Sequence, residues 1–365
     1  MRRFAHDGAK EALIDGSGPN MTRVTGDSRK QQSRPTVQDV AREAGVSPST
    51  VSRALHTRGY ASPEVRERVQ AAAQRLGYVP NHMARNLRSR TSTAIGVLIS
   101  DLRNPFYADL AAGIEEVLRF EGHQMILVND NGDPEEEMHA AETLLAMQVA
   151  GVIVTPVAAA CPKMLQDNGI HVVSADRQLG RGGDAVLSDN KAGARELTEH
   201  LLGLGHERIG LLIDETKWST GAGRLAGFRA AYEDAGLELD EDLIVFTSFD
   251  AEAAKQTTRE LLDEQHVTAI LSANNVLAQG ALAELKRRRL RIPNKISLAA
   301  YDDVPWMSLV QPAITTVDQH TVDLGRSSAQ LLLARIRDEL PARRRIVRVA
   351  PRLVVRGSTG PAPRN

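Results

Sequence analysis

The chain has 365 residues, a formal net charge of −1 and one cysteine, Cys161. A hydrophobic content of 42% supports a sizeable core, the lone cysteine leaves no intramolecular disulfide framework and suits a reducing compartment, and no apolar run reaches the ~18 residues of a membrane span. The net charge hides a division: residues 30–91 hold 11 Lys and Arg against 4 Asp and Glu, a net of +7, while residues 92–365 hold 29 against 38, a net of −9. A polyanionic partner is therefore expected at one end only.

Residues 1–34 are polar, mixed in charge and without periodicity, and lack the apolar centre of a signal peptide. They read as a disordered arm, with Met21 as a second candidate start and Arg29, Lys30 and Arg34 as its candidates for phosphate contact. Residues 37–56, VQDVAREAGVSPSTVSRALH, carry the signature of two short helices and a tight turn. Val37, Val40, Ala41 and Ala44 fall at helical spacing, and Ala41 is small enough for a close crossing. Gly45 suits a left-handed turn, Ser47 caps the next helix and Pro48 opens it. The result is a helix-turn-helix whose second helix exposes Ser49, Thr50, Ser52 and Arg53, groups suited to base edges and phosphates in a major groove. An ordinary helical hairpin in a larger core is the plainer alternative. Ser62 and Pro63 repeat the cap-then-proline signature, opening a third helix with Val65, Val69, Ala72, Ala73 and Leu76 inward and Gly77 as its stop.

From Thr93 the pattern changes to short apolar runs alternating with amphipathic helices, which predicts parallel sheets with helices on both faces. Strands are expected at 95–99, 124–128, 151–155, 172–176, 209–214, 243–246, 269–272 and 296–300, with further strands near 346–349 and 353–355. Helices are expected along the stripe Leu110, Ile114, Val117 and Leu118 and over 135–147, 192–204, 224–235, 251–264, 278–289 and 324–340. Two such runs imply two similar lobes, with residues 315–319 crossing back between them. Ligands of open α/β sheets bind beyond the carboxyl ends of the strands. The candidates there are Asp101, Asn104, Phe106, Tyr107, Asp176, Arg177, Asp189, Thr220, Arg224, Phe249, Asn274 and Asp302, with Trp218 a further stacking surface. Amide and charged groups pair with hydroxyls while aromatic rings cover an apolar sugar or base face. Gly221, Gly223 and Gly227 superficially suggest a dinucleotide fingerprint. They stand too far from the preceding strand for that, and are expected instead to let the backbone approach a ligand while Arg224 reaches it. No HExxH, Cys–His cluster or GxSxG is present, so no catalytic or metal-binding residues and no cofactor are expected.

The run Thr36-Val-Gln-Asp-Val-Ala-Arg-Glu-Ala-Gly-Val-Ser-Pro-Ser-Thr-Val-Ser-Arg-Ala-Leu55, followed by Leu76-Gly-Tyr-Val-Pro-Asn81, resembles the headpiece of the lactose/galactose-repressor family of bacterial transcription regulators. The resemblance extends through almost the whole chain from residue 35. It implies an all-α helix-turn-helix headpiece (35–80), a hinge helix and linker (81–92), a two-lobed body of the periplasmic-binding-protein type for effector binding and dimerisation (93–358), and a tail (359–365). It assigns DNA contact to Thr36, Ser47, Pro48, Ser49, Thr50, Ser52, Arg53, His56, Tyr78, Asn81, Ala84, Arg85 and Leu87, with Leu87 an apolar wedge in the minor groove. It also puts Arg224, Asn274 and Asp302 where relatives grip a ligand, and Gln319 on a crossover beside them. His56, Asn275, Trp218 and His320 depart from the usual pattern, and Trp218 replaces an arginine of the purine-responsive relatives, which favours a sugar over a nucleoside or purine. The expectation is a cytoplasmic, ligand-responsive regulator, a repressor in the main reading, that binds a pseudopalindromic operator as a homodimer or higher oligomer, without membrane contact. A solute-binding sensor without DNA function and a two-lobed sugar enzyme are the rival readings; the +7 module opposes the first, and the lack of a phosphate loop or catalytic acid opposes the second.

Overall fold

The computed structural model describes residues 35–55, 61–78, 92–180, 182–214 and 216–363. The expected arm, His56 and the expected hinge residues Asn81, Ala84, Arg85 and Leu87 lie outside these. The chain divides into two compact units, Met1–His82 and Met83–Asn365.

In the first unit, α1 (Val37–Ala44), α2 (Pro48–Leu55) and α3 (Pro63–Leu76) enclose a core of Val40, Ala41, Ala44, Val51, Ala54, Val69, Ala72 and Ala73. Small residues dominate this core because three short helices must approach closely. Thr36 and Asp39 form a reciprocal capping box at the start of α1. Gly45 and Gly77 end α1 and α3, each with φ of 63°, a left-handed conformation that a side chain would resist. Arg68 donates to the Ala44 carbonyl at 2.6 Å, tying α3 to the otherwise open end of α1.

The second unit holds two six-stranded sheets. The first contains β1 (Ala94–Ile99), β2 (Gln124–Asn129), β3 (Gly151–Val154), β4 (His171–Asp176), β5 (Asp184–Ser188) and β11 (Ile346–Val349), in the order β11-β5-β4-β3-β1-β2. The second contains β6 (Ile209–Ile213), β7 (Ile244–Phe246), β8 (Ala269–Ser272), β9 (Ser297–Tyr301), β10 (Thr315–Asp318) and β12 (Arg352–Val354), in the order β12-β10-β9-β8-β6-β7. The two orders correspond strand for strand, and every pair is parallel except β10 with β12. Strands β3, β5, β6, β8 and β9 are buried at every residue, which is why they read as unbroken apolar runs.

Helices α4 (Pro105–Phe120), α5 (Pro134–Ala146), α6 (Ala160–Asp167) and α12 (Thr321–Ile336) cover the first sheet, and α7 (Asn190–Gly203), α8 (Ser219–Asp234), α9 (Ala251–Glu264), α10 (Asn275–Arg287) and α11 (Pro305–Leu309) the second. The chain therefore passes between lobes after β5, after β10 and before β12. Beyond β12 it stays on the second lobe: Ser358 Oγ donates to the Leu298 carbonyl at 2.5 Å and the Ala362 N–H to that of Leu204 at 2.9 Å.

Three helix pairs cross on glycine. A Cβ on Gly113 of α4 would lie 2.1 Å from the Val322 carbonyl oxygen, and one on Gly325 of α12 would lie 2.2 Å from that of Leu110. A Cβ on Gly227 of α8 would lie 2.3 Å from the Lys191 carbonyl oxygen of α7, and one on Gly280 of α10 would lie 2.3 Å from that of Ala251 of α9. Gly223 would likewise place a Cβ 2.9 Å from that of Asn190. This corrects the expectation that Gly223 and Gly227 make room for a ligand: they seat α8 on α7. It also explains why α8 starts at Ser219 rather than 224, since the glycine-bearing stretch is the helix's packing face. Helix α10 starts at Asn275 rather than 278, because the Asn274 side chain caps it, accepting from the N–H groups of Val276 and Leu277 at 3.0 and 2.9 Å. In an open helix Gly→Ala is favourable by about 1 kcal/mol. At this crossing Gly325→Ala is expected to reverse the sign and destabilise by about 1–3 kcal/mol, read as a lowered thermal midpoint; an unchanged or raised midpoint would show that α4 and α12 can part.

Candidate ligand cleft and nucleic-acid surface

On the first unit, the hydroxyl of Ser47 stands 2.8 Å from those of Ser49 and Thr50 and accepts the Thr50 N–H at 3.2 Å. Ser47 thus caps α2 and holds its neighbours in one polar cluster. Ser49, Ser52 and Arg53 are exposed and Thr50 is half-buried. Arg53 lies back along its helix, with Nε 3.4 Å from the Ser49 carbonyl and Nη2 3.4 Å from Thr50 Oγ1. Pro48 is exposed at the first position of α2, whereas Tyr78 packs against the three-helix core. Thr36 is engaged in its capping box.

In the second unit, residues following β1, β4, β6, β8 and β9 converge from both lobes on a cavity of about 250 Å³. It is lined by Asp101, Asn104, Phe106, Arg177, Trp218, Thr220, Arg224, Phe249, Asn274, Asp302 and Gln319, together with Tyr107 and Asp176. Asp189 is not among the lining residues: it caps α7, accepting the Ala192 N–H at 3.2 Å. The lining also includes Ser100, Arg103, Asn131, Gly132 and Asp214. Asp214 directly follows β6 and Ser100 directly follows β1, so the strand-end rule reaches both. Asn131 and Gly132 follow the edge strand β2.

Two aspartates mark equivalent positions in the two lobes. Asp176 ends β4 with φ of 67° and Asp302 follows β9 with φ of 73°. Strands β4 and β9 are each third in their sheet. Left-handed backbone is costly for a residue with a side chain, and its recurrence at the same point of two lobes fits a functional constraint. Asp302 is surrounded by donors: Gln319 Nε2 at 2.5 Å, the Asn275 N–H at 3.0 Å and Asn275 Nδ2 at 2.9 Å. Asn275, a departure in the sequence, also donates to Asn104 Oδ1 of the other lobe at 3.1 Å. His320, another departure, takes a left-handed φ of 51° before α12, and its N–H is held by Asp318 at 2.8 Å.

Both buried arginines are largely engaged by the protein. Arg224 donates to Asn190 Oδ1 at 2.8 Å and to the Ala273 carbonyl at 2.6 Å, and lies 4.0 Å above the Tyr301 ring. Arg177 donates to the Pro156 carbonyl at 2.8 Å, the Thr155 carbonyl at 3.2 Å, the Tyr107 hydroxyl at 3.3 Å and the Ser100 hydroxyl. Acceptors are less fully matched: Asp176 Oδ1 and Gln319 Oε1 are buried and have no hydrogen-bond partner among the described residues. Burial pushes the Asp176 carboxyl up to about 6 despite Arg224 and Arg177 nearby, and burial also raises Asp214. An unmatched buried acceptor costs about 1–3 kcal/mol, which a hydroxyl-rich ligand offsets by donating to it.

Trp218 joins the lobes. Its indole N–H donates to the Val157 carbonyl at 3.2 Å, and its ring lies 4.2 Å from the Arg177 guanidinium. The next residue, Ser219, accepts the Gln178 N–H at 2.9 Å. Behind Val157, the buried Glu137 carboxylate accepts the N–H groups of Val157 and Ala158 at 2.8 and 3.0 Å. Burial drives Glu137 up to about 7, against the lowering effect of those two N–H groups. Cys161 is fully buried beside it, and burial pushes its thiol up, so it behaves as the apolar core residue expected. Because the folded state holds the Glu137 proton more tightly than the unfolded chain, this group's contribution to stability falls as pH rises from about 4.5 towards 7. Wild type should therefore lose more thermal stability between pH 5 and about 8 than Glu137→Gln; parallel pH profiles would show that Glu137 does not titrate there.

A model of the bacterial regulatory proteins of the lacI family matches residues 36–81, and one of the periplasmic binding protein-like domain matches residues 198–359. The chain is 35% identical over 326 residues to the ribose operon repressor of Halalkalibacterium halodurans, covering 89% of this chain and 97% of that one. Among solved structures it is similar to the complex of the transcriptional regulator CelR with cellobiose, at 31% identity and a TM-score of 0.69, covering 89% of this chain and all of that one. It is also similar to the lac repressor dimer bound to operator and the anti-inducer ONPF, at 28% identity and a TM-score of 0.80, covering 90% and 100%.

Proposed function

The chain belongs to the LacI family of bacterial regulatory proteins, and from that footing we propose that it is a transcriptional repressor, not an enzyme, whose hold on operator DNA is set by a small sugar in the interlobe cleft. The observation that carries this reading is the lining of the cleft. Groups from equivalent strand ends of both lobes converge on one cavity, and two buried acceptors there await donors. The cavity, of about 250 Å³, is lined by polar groups and aromatic rings together, a combination that suits a sugar ring. The relatives named for ribose and solved with cellobiose support the same class.

A single headpiece offers few base contacts, so two copies related by a two-fold axis would read a pseudopalindrome, as the lac repressor dimer is bound to its operator. Ser49, Ser52 and Arg53 supply the major-groove face, and the segment 81–92, with Leu87 as wedge, supplies the minor-groove contact. Ligand bound between the lobes favours one interlobe arrangement, and a coupling of about 1–3 kcal/mol alters operator affinity roughly 5–150-fold. Such a regulator works in the bacterial cytoplasm; no helix among the described residues is long and apolar enough to cross a membrane.

A gel-shift titration on the DNA upstream of the chain's own coding sequence, with and without pentoses and hexoses, tests the reading. Arg53→Ala should weaken operator binding by about 1–3 kcal/mol, roughly 5–150-fold, while leaving sugar affinity intact. Arg224→Ala should bind operator normally and lose the sugar response. Failure of the wild-type protein to bind any duplex at low salt would end the proposal, and a normal sugar response from Arg224→Ala would put the effector elsewhere.

A further inference from the structure

The first lobe carries a patch of charge opposite in sign to the body around it. Residues 92–365 have a net charge of −9, yet residues 341–350, PARRRIVRVA, hold four arginines and no acid. Arg343, Arg344, Arg345 and Arg348 are all exposed. Among the described residues the side chains of Arg343, Arg345 and Arg348 have no ion-pair partner, whereas Arg335 and Arg337 just before them pair with Asp184 and Glu121. Of the nearby acids, Glu339 acts on Arg337.

The loop that bears the patch is held in one shape. Arg335, near the end of α12, donates to both oxygens of Asp184 at 2.6 and 3.0 Å, to the Arg343 carbonyl at 2.7 Å and to the Pro341 carbonyl. Asp184 also accepts the Arg345 N–H at 2.7 Å, and the Arg345 carbonyl accepts the Ala185 N–H at 3.0 Å. The backbone of the loop is thus clasped on one largely buried Arg–Asp pair, and its charged side chains stand in solvent. Neighbouring cations within a Debye length of about 10 Å repel one another, and a polyanion offsets that repulsion.

The patch also has a defined place on the sheet. Strands β1, β3, β4, β5 and β11 are parallel, so all begin at one edge, and the cleft lies beyond the other. Strand β1 begins at Ala94, just after the segment 81–92, so the chain enters the lobe at the edge where the loop before β11 lies. The entry point and the loop are four strand spacings apart, roughly 19 Å at about 4.8 Å each. That is about half of a duplex turn of about 34 Å.

We propose that the arginine loop 343–345 is an accessory DNA contact, in which the body itself grips backbone phosphates of the duplex that the headpieces read. The inference rests on the operator reading, with the segment 81–92 in the minor groove, and extends it from the headpiece to the body. Guanidinium forks suit phosphate oxygens, and such contacts add affinity without reading sequence. A free phosphate compound offers the same chemistry. Placement at the edge where the chain arrives from the headpiece favours the duplex.

Operator affinity of the full-length protein, measured across a series of salt concentrations, tests this. Each phosphate contact contributes about 0.9 to the slope of log affinity against log salt. The double variant Arg343→Gln, Arg345→Gln should bind more weakly at low salt and show a slope flatter by about 2–4 for the dimer. Its thermal midpoint should match wild type, because the clasp on Arg335 and Asp184 uses backbone groups of the loop. Arg343→Lys with Arg345→Lys, which keeps the charge, should keep the wild-type slope. An equal slope in wild type and the Gln variant would overturn the contact and leave the operator reading standing. A slope lost equally in the Lys variant would overturn it too, since shape and not charge would then be at work. So would calorimetric binding of inorganic phosphate that the Gln variant loses while its slope is unchanged, which would make the loop a small-anion site. If wild type binds no duplex at any salt, the operator reading falls, and the accessory contact with it.

Discussion

The segment Thr155–Ala158, just after β3, is gripped from three directions, and the cleft is organised around it. Arg177 holds its carbonyls, Glu137 holds its N–H groups, and Trp218 of the other lobe takes the Val157 carbonyl. Burying a guanidinium among carbonyls and hydroxyls is costly unless its donors are met. Four partners meet them here, so Arg177 is a fixed plane against which Trp218 can rest. Trp218 thereby ties this short segment of the first lobe to the second. Residues that looked like ligand hands are in part the frame that shapes the hand.

The same economy runs through the rest of the site. Asn274 caps α10 with its oxygen and turns its amide toward Asp214, at 3.3 Å. Asp302 is oriented by Gln319 and Asn275 before any ligand arrives. Such preorganisation lowers the ordering cost of binding. Hydrogen bonds between the lobes include Trp218 with Val157, Ser219 with Gln178 and Asn275 with Asn104. Contacts of this kind are individually worth about 0.5–1.5 kcal/mol, the scale on which a small ligand can shift an equilibrium between lobe arrangements.

Much of this was legible in the sequence. Gly45 and Gly77 announce their helix ends because few other residues tolerate that backbone, and the buried central strands announce themselves as apolar runs. The rule that ligands lie beyond strand ends found most of the lining. Asp189 shows its limit: an aspartate before a helix reads the same whether it faces a ligand or caps the helix. Gly223 and Gly227 show another, since a glycine needed for helix contact cannot be told from one needed for ligand contact until the partner helix is known. The roles of Glu137 and Asn275 depend on groups 20 or more residues away, and no local pattern carries that information. Helix α11, of five residues, was too short for periodicity to register.

Coupling between cleft and operator is reciprocal by thermodynamic necessity, so the most direct measurement is made at the sugar rather than at the DNA. Calorimetric titration of the full chain with its responsive sugar, in the absence and presence of saturating operator duplex, should give two dissociation constants. Their ratio should equal the factor by which that sugar changes operator affinity. An identical sugar affinity with and without operator would contradict the coupling of cleft to headpiece.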